Sequence, residues 1–541
     1  MSALGLIRRA SQRALRKARD RAESPPFTRR ADLSEWAREN LGHLKVAVVS
    51  NREPYSHVYE DGKIRWHRNA GGLTVALDAV AQSIGGVWVA HGSGDADRDT
   101  VDAADRVACP PDRPSYSLRR IWLSEEDHVR YYAGFANGGL WPLSHIAYVR
   151  PRFELEDWKR YEDVNRRFAE ATLTEIGDGP ALVLLQDYHL TRVARHLRSA
   201  RPDLKIALFW HIPWPNAEVV RRLPWREEIL SGLLANDVLG FHTPYHARNF
   251  LETVADSMEA KVDHEHMTVT RNGRRTLVRH DPIGVDPEEI GTLAESAATA
   301  RAIEGVRAEY AFGEARIGLG VDRLDYTKGI PERLEALERL YEKYPQWIGR
   351  FRFLQIAVPS RIELEEYRAV AVRTREISAR INARFAASGP PLVHLVERSL
   401  DYRQLIPLYR MADLCAVTSL HDGMNLVAKE YVAARSDLGG ALMLSPFTGA
   451  ARELERAWLV SPYDRERLAD TYHAALTEPD EERRSRMRDL RFAVHRRTVF
   501  DWARKFLEFA VRAAPPRAAG RTVSRSRIKE RRWPSRNGGE A

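Results

Sequence analysis

The stretch Ser419-Leu420-His421-Asp422-Gly423-Met424-Asn425-Leu426-Val427-Ala428-Lys429-Glu430 decides how this chain folds. Before it, Leu414 to Val417 is an apolar run of strand length; after it, apolar residues recur at helical spacing. A buried strand that turns through glycine into a helix leaves the first helical N–H groups without internal partners. Those of Gly423 to Asn425 then point outward at the positive end of the helix, a seat for an anion. Asp422 stands at the mouth of that seat and Glu430 lies two turns further on. At about 1.5 Å per residue the two carboxylates are roughly 12 Å apart. That span suits a nucleotide-sugar lying along the helix start, with Asp422 at the sugar and Glu430 at the ribose. An ordinary capped helix with a solvated Glu430 is the other reading of the same residues.

The arrangement recurs. Lys45 to Val49 is followed by Ser50-Asn51-Arg52, and Ala181 to Leu185 by Gln186-Asp187-Tyr188-His189. Ile206 to Trp210 leads into His211-Ile212-Pro213-Trp214-Pro215, and Phe353 to Ala357 into Val358-Pro359-Ser360-Arg361. Arg316 to Val321 leads into Asp322-Arg323-Leu324-Asp325-Tyr326-Thr327-Lys328-Gly329. Open parallel α/β sheets carry their ligands just past the strand ends, where these polar residues fall. The repetition predicts two doubly wound, Rossmann-like α/β domains facing each other across the site. Residues 44–281 form the first and 282–512 the second, divided at the turn-rich Asp281-Pro282-Ile283-Gly284-Val285-Asp286-Pro287. Residues 1–43 read as a basic, flexible extension and 513–541 as a disordered basic tail.

The residues past the strands make a chemical inventory. Arg323 and Lys328 leave one strand end together, a guanidinium fork and a point charge suited to a diphosphate. Arg52 and Arg361 come from opposite halves and can share a second anion. Gly71-Gly72-Leu73 opens another helix whose backbone N–H groups can approach a phosphate. Two anions of about −2 each would balance four cations. Any one of these arginines alone reads as a surface ion pair; together, at successive strand ends, they read as a site.

Composition bounds the classes. At 541 residues the chain exceeds one core, and 44% hydrophobic with 29% charged residues marks a globular protein. Two cysteines, Cys109 and Cys415, make no disulfide framework, which fits a cytoplasmic protein. The net charge of +9 belongs to the ends. Residues 1–30 carry nine Arg and Lys against Asp20 and Glu23, and residues 517–541 carry eight against Glu530 and Glu540, leaving the body at −4. The body therefore gives no argument for nucleic-acid binding. The N-terminal segment, with Leu4, Ile7 and Leu15 on one side, can be drawn as an amphipathic helix touching an anionic membrane or nucleic acid; a solvated extension is the simpler reading.

From about residue 45 to about 510 the chain resembles the trehalose-6-phosphate synthases, retaining glycosyltransferases of the GT-B type. The resemblance is carried by Ser50 to Arg52, Gly71 to Leu73, Tyr132 with Trp141-Pro142, Asp187 to His189, His211 to Pro215, Arg323 to Gly329 and the complete Asp422 to Glu430. Leu444 to Ala451 and Ser461 to Asp464 add to it. It implies a first domain that binds the acceptor and a second that binds the donor, a nucleotide-glucose. Arg323, Lys328 and the amides of Gly423, Met424 and Asn425 would hold the diphosphate. Glu430 would hold the ribose, Leu426 would lie near the base, and Asp422 and His211 would hold the donor sugar. Arg52, Gly72, Tyr132, Trp141 and Arg361 would take the acceptor phosphate, and Asp187 its hydroxyls. His189 reads as a structural hydrogen-bonding residue. The implied catalytic set is thus Asp187, His211, Arg323, Lys328 and Asp422, with no metal and no cofactor beyond the substrates. Asp95-Ala96-Asp97 has a metal-binding spacing but reads as a solvated loop.

Departures from the family pattern limit this reading. His421 stands where Arg is usual, Gln186 where His is usual, Glu53-Pro54-Tyr55 where Leu-Pro-Val is usual, and the Trp88 to His91 region also differs. These changes resemble the glucosylglycerol-phosphate synthases, whose acceptor is glycerol 3-phosphate, whereas Gly71-Gly72-Leu73 favours glucose 6-phosphate. An idle sugar-phosphate sensor is the alternative of a different class. No apolar strand with Asp-x-Asp-Gly follows residue 464, so a separate phosphatase would take the product. A homo-oligomer is compatible with the sequence, which does not name the base of the donor.

Overall fold

The computed structural model describes residues 26–69, 71–386 and 389–513. Strands β1 (Lys45–Arg52), β4 (Val87–His91), β5 (Arg106–Cys109), β6 (Tyr116–Ile121), β7 (Ala181–Gln186), β8 (Lys205–Phe209), β9 (Val238–Phe241), β10 (Lys261–Asp263), β11 (Thr268–Arg271) and β12 (Arg274–His280) form one sheet. Its order is β10-β11-β12-β9-β8-β7-β1-β4-β6-β5, parallel from β12 to β6 with antiparallel edges. Strands β13 (Arg316–Arg323), β14 (Phe351–Val358), β15 (Val393–Val396), β16 (Leu414–Val417), β17 (Ala441–Leu444) and β18 (Trp458–Leu459) form a second, all-parallel sheet in the order β15-β14-β13-β16-β17-β18. Strands β7, β16 and β17 are buried at every position, which is why they read as continuous apolar runs. β2 (Tyr55–Glu60) and β3 (Lys63–Arg68) make a separate hairpin directly after Arg52.

Three features depart from what the sequence pattern suggests. Within the stretch read as an extension, Arg30–Leu41 is a helix that buries Leu33, Ala37 and Leu41, four residues apart on one face, against the helices Gly72–Ile84 and Val499–Arg512. That last helix lies at the end of the stretch assigned to the second domain, yet it packs on β8 and β9 of the first sheet, with Phe209 at 5.1 Å from Trp502 and 5.3 Å from Phe506. Third, His128–Leu140 is a π-helix. At about 3.6 residues per turn Tyr132 and Trp141 would fall on opposite faces; the wider i→i+5 turn brings them to one side.

The N-terminal residues Leu4, Ile7 and Leu15 and the C-terminal basic tail lie outside the described residues. No helix of the described residues is long and apolar enough to cross a membrane. Cys109 and Cys415 are both buried and unpaired.

Candidate active site

The strand ends of the two sheets meet at a cavity of about 340 Å³. Arg52, Gly72, Tyr132, Trp141, Asp187, His211, Arg323, Lys328, Arg361, Asp422, Met424, Asn425, Leu426 and Glu430 all line it. Gly423 does not: it lies against the His211–Ile212 backbone of the other half, where a Cβ would collide with the His211 carbonyl. Its glycine is required by the close approach of the two halves.

On the second sheet, Arg323 ends β13 and Lys328 follows a tight turn. Asp325 shapes that turn by accepting from the Thr327 N–H at 3.0 Å, and Gly329 closes it at φ +63°, pressed on the Thr418 carbonyl. Lys328 Nζ meets Asp422 Oδ2 at 2.5 Å, and Ser419 and Asn425 add longer contacts to the same oxygen. Asp422 is therefore tied to the cation beside it. The helix begins only at Leu426, with Asn425 capping the Ala428 N–H at 3.0 Å. Asp422 instead makes an isolated parallel β-bridge with Thr448, so a helical rise does not set its distance from Glu430 across residues 422–425. Glu430 is buried and accepts from the Tyr409 hydroxyl at 2.8 Å; burial pushes its carboxyl up to about 7 against that bond. Gly72 sits opposite: a Cβ there would touch Leu426 at 3.2 Å and Glu430 at 3.5 Å. This corrects its assignment to the acceptor phosphate, because Gly72 faces the end of the cavity where Glu430 lies.

The other end of the cavity gathers arginines on aromatic rings. Arg52 donates to the Tyr132 hydroxyl at 3.0 Å. Arg361 lies 4.3 Å over the Trp141 ring and 6.0 Å from that of Tyr132, while Arg323 is 5.3 Å from Trp141. Arg361 is buried at φ +50°, a left-handed conformation held by Asp325 at 3.2 Å, Tyr367 at 2.5 Å and Tyr188 of the opposite sheet at 3.3 Å. Burial raises the Tyr132 phenol, but Arg52, Arg361 and Arg323 together bring it down to about 7. A phenol so depressed marks excess positive charge in a buried place.

Between these ends, Asp187 accepts from the His211 N–H at 3.0 Å, and burial pushes its carboxyl up to about 7. His211 Nε2–H donates to Gln186 at 2.9 Å, and burial takes the imidazole down to about 3, so it is neutral. Gln186 thus does fixed work at a position where the family pattern has another residue. His189 makes its structural hydrogen bond through the backbone, its carbonyl accepting from Asn165 Nδ2 at 3.0 Å. Its ring stacks on Tyr132 at 5.8 Å, and its Nε2 has no protein partner. Trp141 Nε1, His211 Nδ1 and Arg361 Nε are likewise buried without a protein partner. All four belong to residues that line the cavity.

The remaining departures support Arg52. Trp88 Nε1 donates to Ser50 Oγ at 2.8 Å, and Ser50 Oγ donates to the Arg52 carbonyl at 2.7 Å. Glu53 is fully buried on Arg120 at 2.8 Å, and Asp97 shares that guanidinium at 2.7 Å. Asp97 is therefore no solvated loop residue: it also accepts from the His57 and Gly94 N–H groups at 2.7 Å each. Arg120 lies on β6, too distant in sequence for a spacing argument to pair it with Asp97. His421, in the usual Arg position, donates to the His145 carbonyl across the cleft at 2.6 Å. Tyr188, Tyr367, Tyr409 and Asp325 are the site residues the sequence reading passed over. Tyr188 and Asp325 lie among the polar residues just past β7 and β13, but nothing local says which arginine they hold.

Residues 44–511 match the description of glycosyltransferase family 20. The chain belongs to that family. A trehalose-6-phosphate synthase of Mycolicibacterium vanbaalenii is 42% identical over 480 residues, 86% of this chain and 96% of the relative. That of Mycobacterium marinum is 41% identical over 490 residues, 88% and 96%. Among solved structures, an α,α-trehalose-phosphate synthase (UDP-forming) of Burkholderia xenovorans in complex with glucose-6-phosphate aligns with a TM-score of 0.77 at 32% identity, over 86% of this chain and 99% of that one. A trehalose-6-phosphate enzyme from E. coli bound with UDP-2-fluoro glucose aligns with a TM-score of 0.77 at 31% identity, over 87% and 100%. The family 20 fold is GT-B, and the two facing sheets here have that architecture.

Proposed function

We propose that this chain moves glucose from a nucleotide-glucose to glucose 6-phosphate with retention of configuration, forming trehalose 6-phosphate in trehalose biosynthesis. The observation that carries this reading is one cavity lined by four cations, Arg323 and Lys328 from the turn after β13, and Arg52 and Arg361, which come from opposite sheets and meet around Tyr132. The relatives named trehalose-6-phosphate synthase, and the solved structures with glucose-6-phosphate and a UDP-glucose analogue, support it over glycerol 3-phosphate as acceptor and over an idle sensor.

Arg323 and Lys328 hold the donor diphosphate, Glu430 and Leu426 the nucleoside, and Asp422 and His211 the donor sugar. Arg52, Tyr132, Trp141 and Arg361 take the acceptor phosphate, with Asp187 on its hydroxyls. The bond from the sugar carbon to the diphosphate breaks as the acceptor oxygen bonds on the same face. The departing phosphate oxygen takes the acceptor proton, and the protein orients the pair and stabilises the growing negative charge. Two cations already face that charge, so no metal is needed, and the phosphorylated product passes to a separate phosphatase in the cytoplasm.

Incubation with a panel of nucleotide-glucoses against glucose 6-phosphate and glycerol 3-phosphate, read by product mass, tests the reading and names the base. Product from glycerol 3-phosphate alone would overturn it.

The Tyr132 phenol gives a pH prediction. As pH rises through about 7 the phenol ionises, and the phenolate competes with the sugar phosphate for Arg52 and Arg361. The phosphate itself is already dianionic above its second pKa of about 6. The apparent KM for glucose 6-phosphate should therefore rise above pH 7, approaching about tenfold per pH unit for one coupled proton. Tyr132→Phe should flatten that profile. A flat wild-type profile together with an unchanged KM in Tyr132→Phe excludes Tyr132 from the phosphate site.

A further inference from the structure

Lys429 is buried, 1% exposed, and takes no part in the mechanism above. It sits beside Glu430 on the helix Leu426–Ala434. Its Nζ donates to the Ile283 carbonyl at 2.7 Å and meets the Glu453 carboxylate at 3.0 and 3.1 Å. Ile283 belongs to the segment through which the chain passes from the first sheet to the second. The return passage runs alongside. The Val499 N–H donates to the Val285 carbonyl at 2.9 Å, and a Cβ on Gly284 would collide with the Arg497 carbonyl. Arg497, on that return passage, reaches Glu453 at 3.6 Å. One carboxylate therefore gathers a cation from the donor helix and a cation from the return passage, and the donor-helix cation also grips the outward passage.

The other side of Ile283 leads into the first half. Its N–H donates to His242 Nδ1 at 3.4 Å, and the His242 ring lies 5.2 Å from that of His211. The crossing is thus held from both halves, by His242 near the His211 loop and by Lys429 next to Glu430.

We propose that Lys429 and Glu453 are positioning residues that clamp the hinge between the halves and fix the donor helix to it. Closure at the correct angle then brings Glu430 and Leu426 against Gly72, and Arg361 against the aromatic wall that includes Tyr188. The inference rests on the reading that Glu430 meets the nucleotide. It adds that the approach of the two substrates is set by an ion pair that touches neither. A buried lysine paired only for stability would serve as well if replaced, together with its carboxylate, by neutral groups of similar shape. A clamp would not.

The test compares Lys429→Met, the double variant Lys429→Met/Glu453→Gln, and Arg497→Ala with the wild type. Lys429→Met leaves Glu453 buried without its lysine and should lower Tm. The double variant removes both charges and should recover a Tm near that of the wild type. Its kcat with nucleotide-glucose and glucose 6-phosphate should nevertheless stay at least about tenfold low, since small misplacements in a cleft cost that much or more. Small-angle scattering of the double variant should also show less compaction than the wild type on adding uridine diphosphate with glucose 6-phosphate. Arg497→Ala, which breaks only the return-passage contact, should lower kcat less than the double variant does. A folded double variant with wild-type kcat and wild-type compaction overturns the clamp. If the wild type itself neither turns over nor binds uridine diphosphate, it is the underlying functional reading that has failed.

Discussion

Arg323→Ala is expected to lower kcat by at least about a hundredfold, the scale on which a single preorganised electrostatic stabiliser is lost. The side chain is suited to that role because little in the protein neutralises it. Its guanidinium comes no nearer than 3.7 Å to Asp325, longer than a hydrogen bond, and is 32% exposed to the cleft. Its carboxylate neighbour, the buried Asp325, keeps Arg361 at 3.2 Å when Arg323 is removed, so the loss should appear in turnover with only a small fall in Tm. Lys328→Ala should cost at least as much for a mixed reason. It removes a cation and also releases Asp422, now tied to Lys328 at 2.5 Å, to repel the incoming diphosphate. The two variants thus differ in kind: Arg323→Ala should spare nucleotide binding more than Lys328→Ala does. Calorimetry with a nucleoside diphosphate separates the cases. Near-normal turnover in both variants would sink the donor assignment. Treatment with EDTA should leave the wild-type rate unchanged, and inhibition reversed by a divalent ion would argue for a metal at the diphosphate.

Much of this site could be read from sequence because parallel sheets make it local. Arg52, Asp187, His211, Arg323 and Arg361 each fall within a few residues after an apolar run, and the fold sends these positions to one cleft. What the pattern could not give is contact across the chain. Resemblance to the family puts Gly72 at the acceptor phosphate, and only the opposing helix reveals that Leu426 and Glu430 are its neighbours. Asp97 looked solvated because its spacing with Asp95 is short and polar, whereas Arg120 and Glu53, which bury it, are brought in by the sheet. The π-helix over His128–Leu140 has no period that a helical template would register, yet it puts Tyr132 and Trp141 on one side. The helix Val499–Arg512 carries an amphipathic signal that predicts a helix but not which sheet it covers.

Arg361→Ala should raise the KM for glucose 6-phosphate by on the order of a hundredfold while leaving nucleotide-sugar affinity almost unchanged. Truncating one member of a buried charge pair costs roughly 2–5 kcal/mol, and each 1.4 kcal/mol is about tenfold. The geometry says why the loss should fall on the acceptor. Arg361 and Arg52 come from opposite sheets and repel each other around Tyr132, so a phosphate that bridges them removes a repulsion as well as making two charge-assisted bonds. Arg361 also spans the cleft by itself, holding Asp325 and Tyr367 on its own sheet and Tyr188 on the other. On the proposed assignment, phosphate binding and closure are linked, and binding energy from the phosphate would be used to align the sugar. Unphosphorylated glucose should accordingly be a very poor acceptor in kcat as well as in affinity. Arg361→Lys keeps the charge but loses the fork and the flat stacking on Trp141, so it should recover only part of the loss. Because Asp325 is fully buried and loses a partner in Arg361→Ala, Tm should fall too, and the kinetic comparison belongs at a temperature where both proteins are folded. If instead donor binding collapses and the dependence on glucose 6-phosphate is unaltered, Arg361 belongs to the diphosphate, and the division of the cleft between Arg323 and Arg52 must be redrawn.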